Sequence, residues 1–241
     1  RHSIVVAGAA SGLGREMALS LARLGARLTL VDIDEAALAG VVRECGADAQ
    51  FFRADITRED EVGAAVEAAV GAFGRFDGAV NCAGLLRIAP ALELSAEDFR
   101  TSIDVNVTGA FLFSRTCAKF LYDKGGSIVH FASVSSHVAN RNYAAYASSK
   151  AALSHMVRVL AREWADKAIR VNAIGPAMTL TGMTAGYLSD ARFRDEALAA
   201  IPMGRFGTPD DLIGPLVLLL SRAGAFITGQ TIYVDGGRTL V

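Results

Sequence analysis

Seven short apolar runs recur along this chain, near residues 4–7, 28–32, 50–54, 78–82, 127–132, 169–174 and 230–234, separated by stretches long enough to be helices. Runs this short and this rich in Val, Ile and Leu read as strands buried on both faces. Strands joined by whole helices rather than by tight turns run parallel, because a parallel return needs a crossover of a dozen or more residues. Right-handed crossovers then place helices on both sides of the sheet. The pattern predicts an α/β fold built on an open, doubly wound sheet of seven parallel strands. With 241 residues, 52% of them hydrophobic, the chain can bury a sizeable core. It carries no internal repeats, low-complexity tracts or linker, so one domain over residues 1–241 is expected.

The first run, Ser3 to Ala7, leads into Gly8-Ala-Ala-Ser-Gly12-Leu-Gly14 and then an amphipathic stretch from Glu16 to Leu24. That is strand, glycine turn, helix. Glycines there permit positive φ and let a ligand approach the backbone, while a helix amino terminus offers free N–H groups to a phosphate. The spacing is G-x-x-x-G-x-G, so it shares the mechanism of the G-x-G-x-x-G fingerprint without its pattern. The second run ends in Asp32, an acid at about the distance (~20 residues) where a dinucleotide fold holds the adenosine ribose. Asp32 would accept the ribose hydroxyls and repel a 2′-phosphate, and Ser11, ahead of the second glycine, is not basic; both favour NAD over NADP. Asp32 or Asp34 could instead cap the helix beginning near Glu35, a role compatible with ribose binding.

Tyr146 and Lys150 lie four apart in Tyr-Ala-Ala-Tyr-Ala-Ser-Ser-Lys, and Ser133 precedes that tyrosine by thirteen positions, just past Ser-Ile-Val-His-Phe-Ala. If residues 143–165 are helical, positions i and i+4 share a face and the ammonium lies near the phenol. A phenol titrates near 10, and bringing it to about 7 takes ~4 kcal/mol. One cation about 4 Å away at a partly exposed site supplies energy on the order of 4 kcal/mol. Alone, Tyr-x-x-x-Lys arises by chance on many helices.

Taken together, these motifs resemble the short-chain dehydrogenase/reductase family over nearly the whole chain. Gly8, Gly12 and Gly14 match its cofactor turn, Asp55-Ile56 its adenine-holding acid, and Asn81-Cys82-Ala83-Gly84 its N-N-A-G. Asn106, Ser133, Tyr146 and Lys150 match its catalytic tetrad in order and spacing, and Thr228 to Gly237 its last strand. The resemblance implies a Rossmann-type sheet of order 3-2-1-4-5-6-7. It also implies an NAD site formed by Gly8, Ser11, Gly12, Leu13, Gly14, Asp32, Ile33, Asp55, Ile56, Asn81, Ala83, Gly84, Tyr146, Lys150, Pro176, Thr179 and Thr181. Tyr146 would move a proton. Lys150, with the positive nicotinamide, would lower the phenol's pKa and hold the ribose, and Ser133 would hydrogen-bond the substrate oxygen. Asn106 would sit where the backbone departs from regular helix and help hold a water chain to Lys150. Four departures stand out: Ala7 for threonine, Leu13 for isoleucine, Cys82 for the second asparagine, and Gly175-Pro176-Ala177 for Pro-Gly, which makes the loop path past Pro176 uncertain.

Residues 177–208 break the regular rhythm, with Met178, Thr181, Met183, Tyr187 and Phe206 among polar neighbours. Ligands of open sheets bind beyond the carboxyl ends of the strands, so this segment is expected to be a substrate lid. Ser133, Asn140, Tyr146, Met183 and Tyr187 are the expected substrate residues. His137, Asn140, Arg141 and Asn142 lie in the loop ahead of Tyr146 and hint at a hydroxylated substrate, a polyol or sugar. The expected activity is reversible hydride transfer between NAD(H) and a secondary alcohol or ketone. A 3-oxoacyl thioester reductase is the rival enzyme, and a non-catalytic NAD-binding regulator the rival of another class.

Net charge of −1 with interspersed signs argues against nucleic acid. Cys45, Cys82 and Cys117 are odd in number and widely spaced, which suits free thiols in a reducing, cytoplasmic setting. His2, His130, His137 and His155 show no zinc-type spacing, so no metal is expected. No signal pattern is visible, and the run Leu216 to Leu220 is too short to span a membrane. The stretch 211–220 is apolar around most of its circumference and needs cover on more than one side. With the family's habit, that predicts a homotetramer with two-fold interfaces.

Overall fold

The computed structural model describes residues 1–241, the side chain of Met183 excepted. Seven strands, β1 (Ser3–Ala7), β2 (Arg27–Asp32), β3 (Ala49–Arg53), β4 (Gly78–Asn81), β5 (Gly126–Phe131), β6 (Ile169–Pro176) and β7 (Thr231–Val234), form one parallel sheet of order β3-β2-β1-β4-β5-β6-β7. The expected order and direction are both observed. Between them lie α1 (Gly12–Arg23), α2 (Glu35–Cys45), α3 (Glu59–Phe73), α4 (Ala96–Ile103), α5 (Ala110–Leu121), α6 (Ala144–Trp164), α7 (Gly182–Leu188), α8 (Ala191–Ala199) and α9 (Asp210–Leu220).

Every residue of β1 is buried, and its alternation sorts them into two cores. Val5 and Ala7 face a core shared with Val62 and Val66 of α3, Phe113 and Leu121 of α5, and Val157 and Leu160 of α6. Ile4 and Val6 face the opposite core, with Met17 and Leu21 of α1, Leu38 of α2, and Leu212 and Leu216 of α9. Each such fully buried side chain stabilises by roughly 1.5–3 kcal/mol, which is why both sheet faces must carry helices. No described helix is long and apolar enough to cross a membrane.

β1 lies between β2 and β4, with Ala7 level with both Val31 and Asn81. The strand order reverses here, and the connections leaving β1 and β4 part to opposite faces. A crevice opens beyond these carboxyl ends. The residues 177–208, read as an interruption of the rhythm, hold α7 and α8 and close on themselves through a parallel bridge of Thr179 with Gly207. Thr181 and Thr184 cap α7 reciprocally, and Asp190 caps α8 through the Phe193 N–H at 2.9 Å.

The order Gly175-Pro176, in place of Pro-Gly, has a physical reason. β6 runs straight through Gly175 and Pro176, paired with Tyr233 and Val234 of β7. A Cβ at residue 175 would sit 2.6 Å from Cδ1 of Tyr233. The glycine ahead of the proline therefore makes room for that ring, which in turn places its hydroxyl 2.9 Å from Ser136 Oγ.

Candidate active site

The glycine turn is built by what side chains would obstruct. Gly8 has φ +74, and a Cβ there would lie 2.5 Å from the Ala83 nitrogen; at Gly14 one would lie 1.9 Å from the Gly8 carbonyl oxygen. Gly12, at φ +53, has open space around it and begins α1. The turn so formed presents bare backbone and a helix amino terminus to the crevice, a geometry suited to a pyrophosphate. Asp32 fastens it, accepting from Ala10 N at 3.0 Å and from Ile33 N and Asp34 N at 2.8 and 3.2 Å. Three of a carboxylate's roughly four acceptor positions are thus engaged. Asp34, by contrast, is the cap of α2, accepting from Ala37 N at 3.0 Å. Asp55, which borders the crevice, accepts from Thr57 N and Thr57 Oγ1 at 2.8 Å through one oxygen.

At the end of β4 the chain turns into Cys82, Ala83 and Gly84. Asn81 does not line the crevice: it lies beneath, its Oδ1 accepting from Ala83 N at 3.0 Å and its amide facing Nδ1 of His130 at 3.3 Å. Ser114 donates to the Ala110 carbonyl at 2.8 Å, so it accepts from Nε2–H of His130 at 2.7 Å. Burial holds that imidazole neutral, with its pKa lowered to about 3. A buried side-chain relay from α5 through β5 thus fixes the β4 turn.

Asn106 lies in a π-helical segment, residues 104–109, inserted between α4 and α5. The backbone departure expected there is present. The side chain is fully employed: Oδ1 accepts from Leu85 N at 2.7 Å, and Nδ2 donates to Leu85 O and Ser149 Oγ at 2.9 Å each. Ser133 follows β5 and caps a short 3-10 turn, its Oγ accepting from Ser135 N at 3.1 Å. Tyr146 and Lys150 lie one turn apart on α6, with Nζ over the tyrosine ring at 5.7 Å from its centroid and donating to the Phe131 carbonyl at 2.8 Å.

The electrostatic expectation for this pair needs correction. Tyr146 is half-buried, and desolvation raises its phenol above the ordinary value of 10, with the Ser133 hydroxyl opposing. Lys150 is 5% exposed and lowered to about 8 by the same burial. A cation at a partly exposed site would have sufficed, but the fold buries Lys150 and partly covers Tyr146, and the phenolate loses more hydration than the protein alone restores. Tyr143, edge-on to Tyr146 at 6.0 Å, is pushed to about 12 by burial.

These groups border one cavity of about 1050 Å³. Of the residues expected to hold cofactor or substrate, Gly8, Ser11, Gly12, Leu13, Gly14, Asp32, Ile33, Asp55, Ile56, Ala83, Gly84, Ser133, Asn140, Tyr146, Lys150, Pro176, Thr179, Thr181 and Tyr187 line it. Asn81 and Asn106 stand behind its wall. The side chain of Met183 lies outside the described residues. His137 turns away, its ring 5.9 Å from that of Tyr233. Phe193, Glu196 and Arg238 also line the cavity, and sequence reasoning missed them. An acid and an aromatic on α8 follow from its placement over the crevice; nothing in the spacing of Arg238 points to it.

The chain matches the family described as Enoyl-(Acyl carrier protein) reductase over residues 8–239. It is 37% identical to D-threitol dehydrogenase of Mycolicibacterium smegmatis, across 98% of this chain and 92% of that one. Its fold superimposes with a TM-score of 0.95 on a short-chain type dehydrogenase/reductase from Mycobacterium ulcerans, 32% identical, covering 99% of this chain and 90% of that one. With a protein from Beutenbergia cavernae described as an NAD(P) dependent gluconate 5-dehydrogenase, the TM-score is 0.92 and the identity 36%, over 100% and 97% of the two chains; that structure holds NADP at low occupancy.

Proposed function

This chain belongs to the short-chain dehydrogenase/reductase family, and from that premise we propose that it is an NAD-dependent dehydrogenase of a hydroxylated secondary alcohol, a polyol or sugar derivative, with Tyr146 as general acid and base. That it is an oxidoreductase of small-molecule alcohols using a nicotinamide cofactor rests on the family itself. The observation that supports the finer reading is the meeting of Ser133, Tyr146 and Lys150 in the cavity that begins at the glycine turn.

The residues present fit a dinucleotide. Gly8 and Gly14 leave a cradle that a Cβ would fill, and Asp32 reaches the cavity with an acceptor position to spare. When bound, the cofactor accepts or supplies the hydride. Asp32 and Asp55 would hold its adenosine, Lys150 and Thr181 its far end. In oxidation the Tyr146 phenolate takes the proton of the alcohol, and in reduction the phenol returns it to the developing alkoxide. Ser133 donates to the substrate oxygen, stabilising negative charge there. Lys150 adds positive charge beside the phenolate, and Asn106 ties the Leu85 backbone to Ser149 of the catalytic helix.

Tyr146→Phe is expected to bind NADH normally and lose turnover by at least about 1000-fold, the scale of positioned proton transfer; near wild-type turnover overturns the role. For the cofactor, kcat/KM with NAD should exceed that with NADP, because Asp32 faces the ribose site without a basic partner; equal use refutes it. The family description names an acyl thioester substrate, and among acyl thioesters the 3-oxoacyl group carries the ketone that this site would reduce; turnover of acetoacetyl-CoA with NADPH above that of any alcohol with NAD would establish this second reading.

A homotetramer working in the cytoplasm completes the proposal. On α9, Leu212, Leu216 and Leu219 are buried against the sheet while Ile213, Val217 and Leu218 are only half covered, and nearby Phe226 is wholly exposed. Another copy of this chain would cover that face, and sedimentation as a stable monomer would disprove it.

A further inference from the structure

We propose that Arg238 is a carboxylate clasp, so that the alcohol this enzyme oxidises is a hydroxy acid rather than a neutral polyol. The inference deepens the dehydrogenase reading and rests on it. Arg238 follows β7 on the turn Asp235–Gly236–Gly237, which is packed tightly: a Cβ at Gly236 would come 2.7 Å from Ile201, and one at Gly237 3.0 Å from Pro202. Asp235, the nearest acid, is spent on that turn, accepting from Gly237 N at 3.0 Å and from Thr239 N and Oγ1 at 2.7 Å each. It is unavailable to neutralise the arginine.

The guanidinium is held in place by two oxygen acceptors, neither of them on an Asp or Glu side chain. Nη2 donates to Asn140 Oδ1 at 3.1 Å and Nη1 to the Val241 backbone oxygen at 3.1 Å. Asn140 in turn donates to Ser135 Oγ at 3.2 Å, and Ser135 N donates to Ser133 Oγ. The cation is therefore tethered through two side chains to the turn that carries the substrate-oxygen donor. An arginine has five N–H donors and two are engaged here, so three remain. A half-buried, planar, pre-positioned fork without an Asp or Glu partner among the described residues is suited to bidentate recognition of a carboxylate.

The surroundings agree in sign. Besides Lys150 of the catalytic pair, the charged side chains around the substrate end of the cavity are Arg141, Arg192, Glu196 and Arg238, and Glu196 is paired with Arg192 at 2.9 Å. Asp32 and Asp55 belong to the glycine-turn end. Beyond Lys150, the substrate end thus carries two further cations, Arg141 and Arg238, without Asp or Glu partners among the described residues.

The test uses matched pairs that differ only in CH2OH against COO⁻: erythritol with erythronate, and D-glucitol with D-gluconate. Wild-type enzyme with NAD should prefer the acids in kcat/KM by at least about tenfold. Arg238→Gln should lose about 10- to 100-fold on the acids, carried by KM, while the polyols change by less than about threefold. Arg238→Lys should restore part of the loss. Equal losses on acids and polyols, with a lowered Tm, would make Arg238 a structural clamp and overturn the proposal. So would wild-type preference for the polyols, or turnover confined to neutral alcohols such as cyclohexanol; either leaves the dehydrogenase reading standing. A separate readout is D-gluconate binding to the enzyme–NADH complex, followed by NADH fluorescence. Binding that Arg238→Gln does not weaken also overturns the clasp, whereas failure of wild type to bind NADH removes the dehydrogenase reading beneath it.

Discussion

The two ends of the cavity are made by opposite means. At the glycine turn the walls are backbone, and side chains are excluded by contacts as short as 1.9 Å from an added Cβ. At the substrate end the walls are side chains of α7, α8 and the turn beyond β7, and α8 has no fully buried residue. The first end tolerates almost no change because atoms are already in contact; the second is two short capped helices over a crevice, free to vary. A fold that reads a constant cofactor and a variable alcohol needs that asymmetry.

The comparison can be broken most sharply at Gly14. Gly14→Ala must shift the Gly8 carbonyl, and we expect NADH affinity to fall by at least about 100-fold, close to 3 kcal/mol. Gly12→Ala, with open space at φ +53, should cost only on the order of 1–2 kcal/mol of strain. Fluorescence titration beside a thermal melt separates lost binding from lost folding, and equal effects at the two glycines would dissolve the contact argument.

Between the two ends, Lys150 offers an effect of intermediate size. Its folded pKa of about 8 lies below the ordinary 10.5, so the folded protein disfavours the ammonium. Between those values the unfolded chain binds a proton the folded one does not, and stability rises with pH through that window. Below pH 8 the penalty is constant and on the order of 3 kcal/mol. Lys150→Met removes it, together with the bond to the Phe131 carbonyl. Without cofactor, the variant's Tm relative to wild type should therefore be higher at pH 7 than at pH 10.5, by several degrees, while turnover is lost. A pH-independent difference would mean the amine is not desolvated as described.

The smallest effect belongs to the lid. Phe193 is partly buried against Tyr187, ring centroids 6.1 Å apart. Phe193→Ala should change stability by less than about 1 kcal/mol and leave the NADH dissociation constant within about twofold, while shifting relative kcat/KM among alcohols severalfold. A large change in NADH binding would show the two ends to be less independent than their construction implies.

What could be read from the sequence followed the same division. Strand positions, the glycine turn, Asp32 and the Tyr146–Lys150 spacing are local patterns, with partners within about one helix or one crossover, and the structure places them as expected. The sign of the Tyr146 shift was not legible, because a spacing of four says how close a cation lies and nothing of how dry the site is. Asn81 is a polar residue at the mouth of a strand, and only the placement of His130 and Ser114 beneath it shows that it faces the sheet and not the cavity. His137 and Asn140 looked equivalent in a polar loop, and Tyr233 draws one away while Arg238 holds the other. The reason for Gly175 ahead of Pro176 is the ring of Tyr233, which comes from another strand and has no signature near residue 175.

The brace from β7 to the catalytic turn has a consequence for how the enzyme comes into being. Tyr233 reaches Ser136 across 97 residues and Arg238 reaches Asn140 across 98, whereas Asp32 fastens the glycine turn across 22. During synthesis the cofactor end can assemble while the chain is still being made, but the turn bearing Ser133 gains these supports only when β7 and the turn beyond it have been translated and docked. Contacts so distant in sequence are slow to close. A nascent chain would thus acquire a place for its dinucleotide well before it acquires a firm grip on an alcohol.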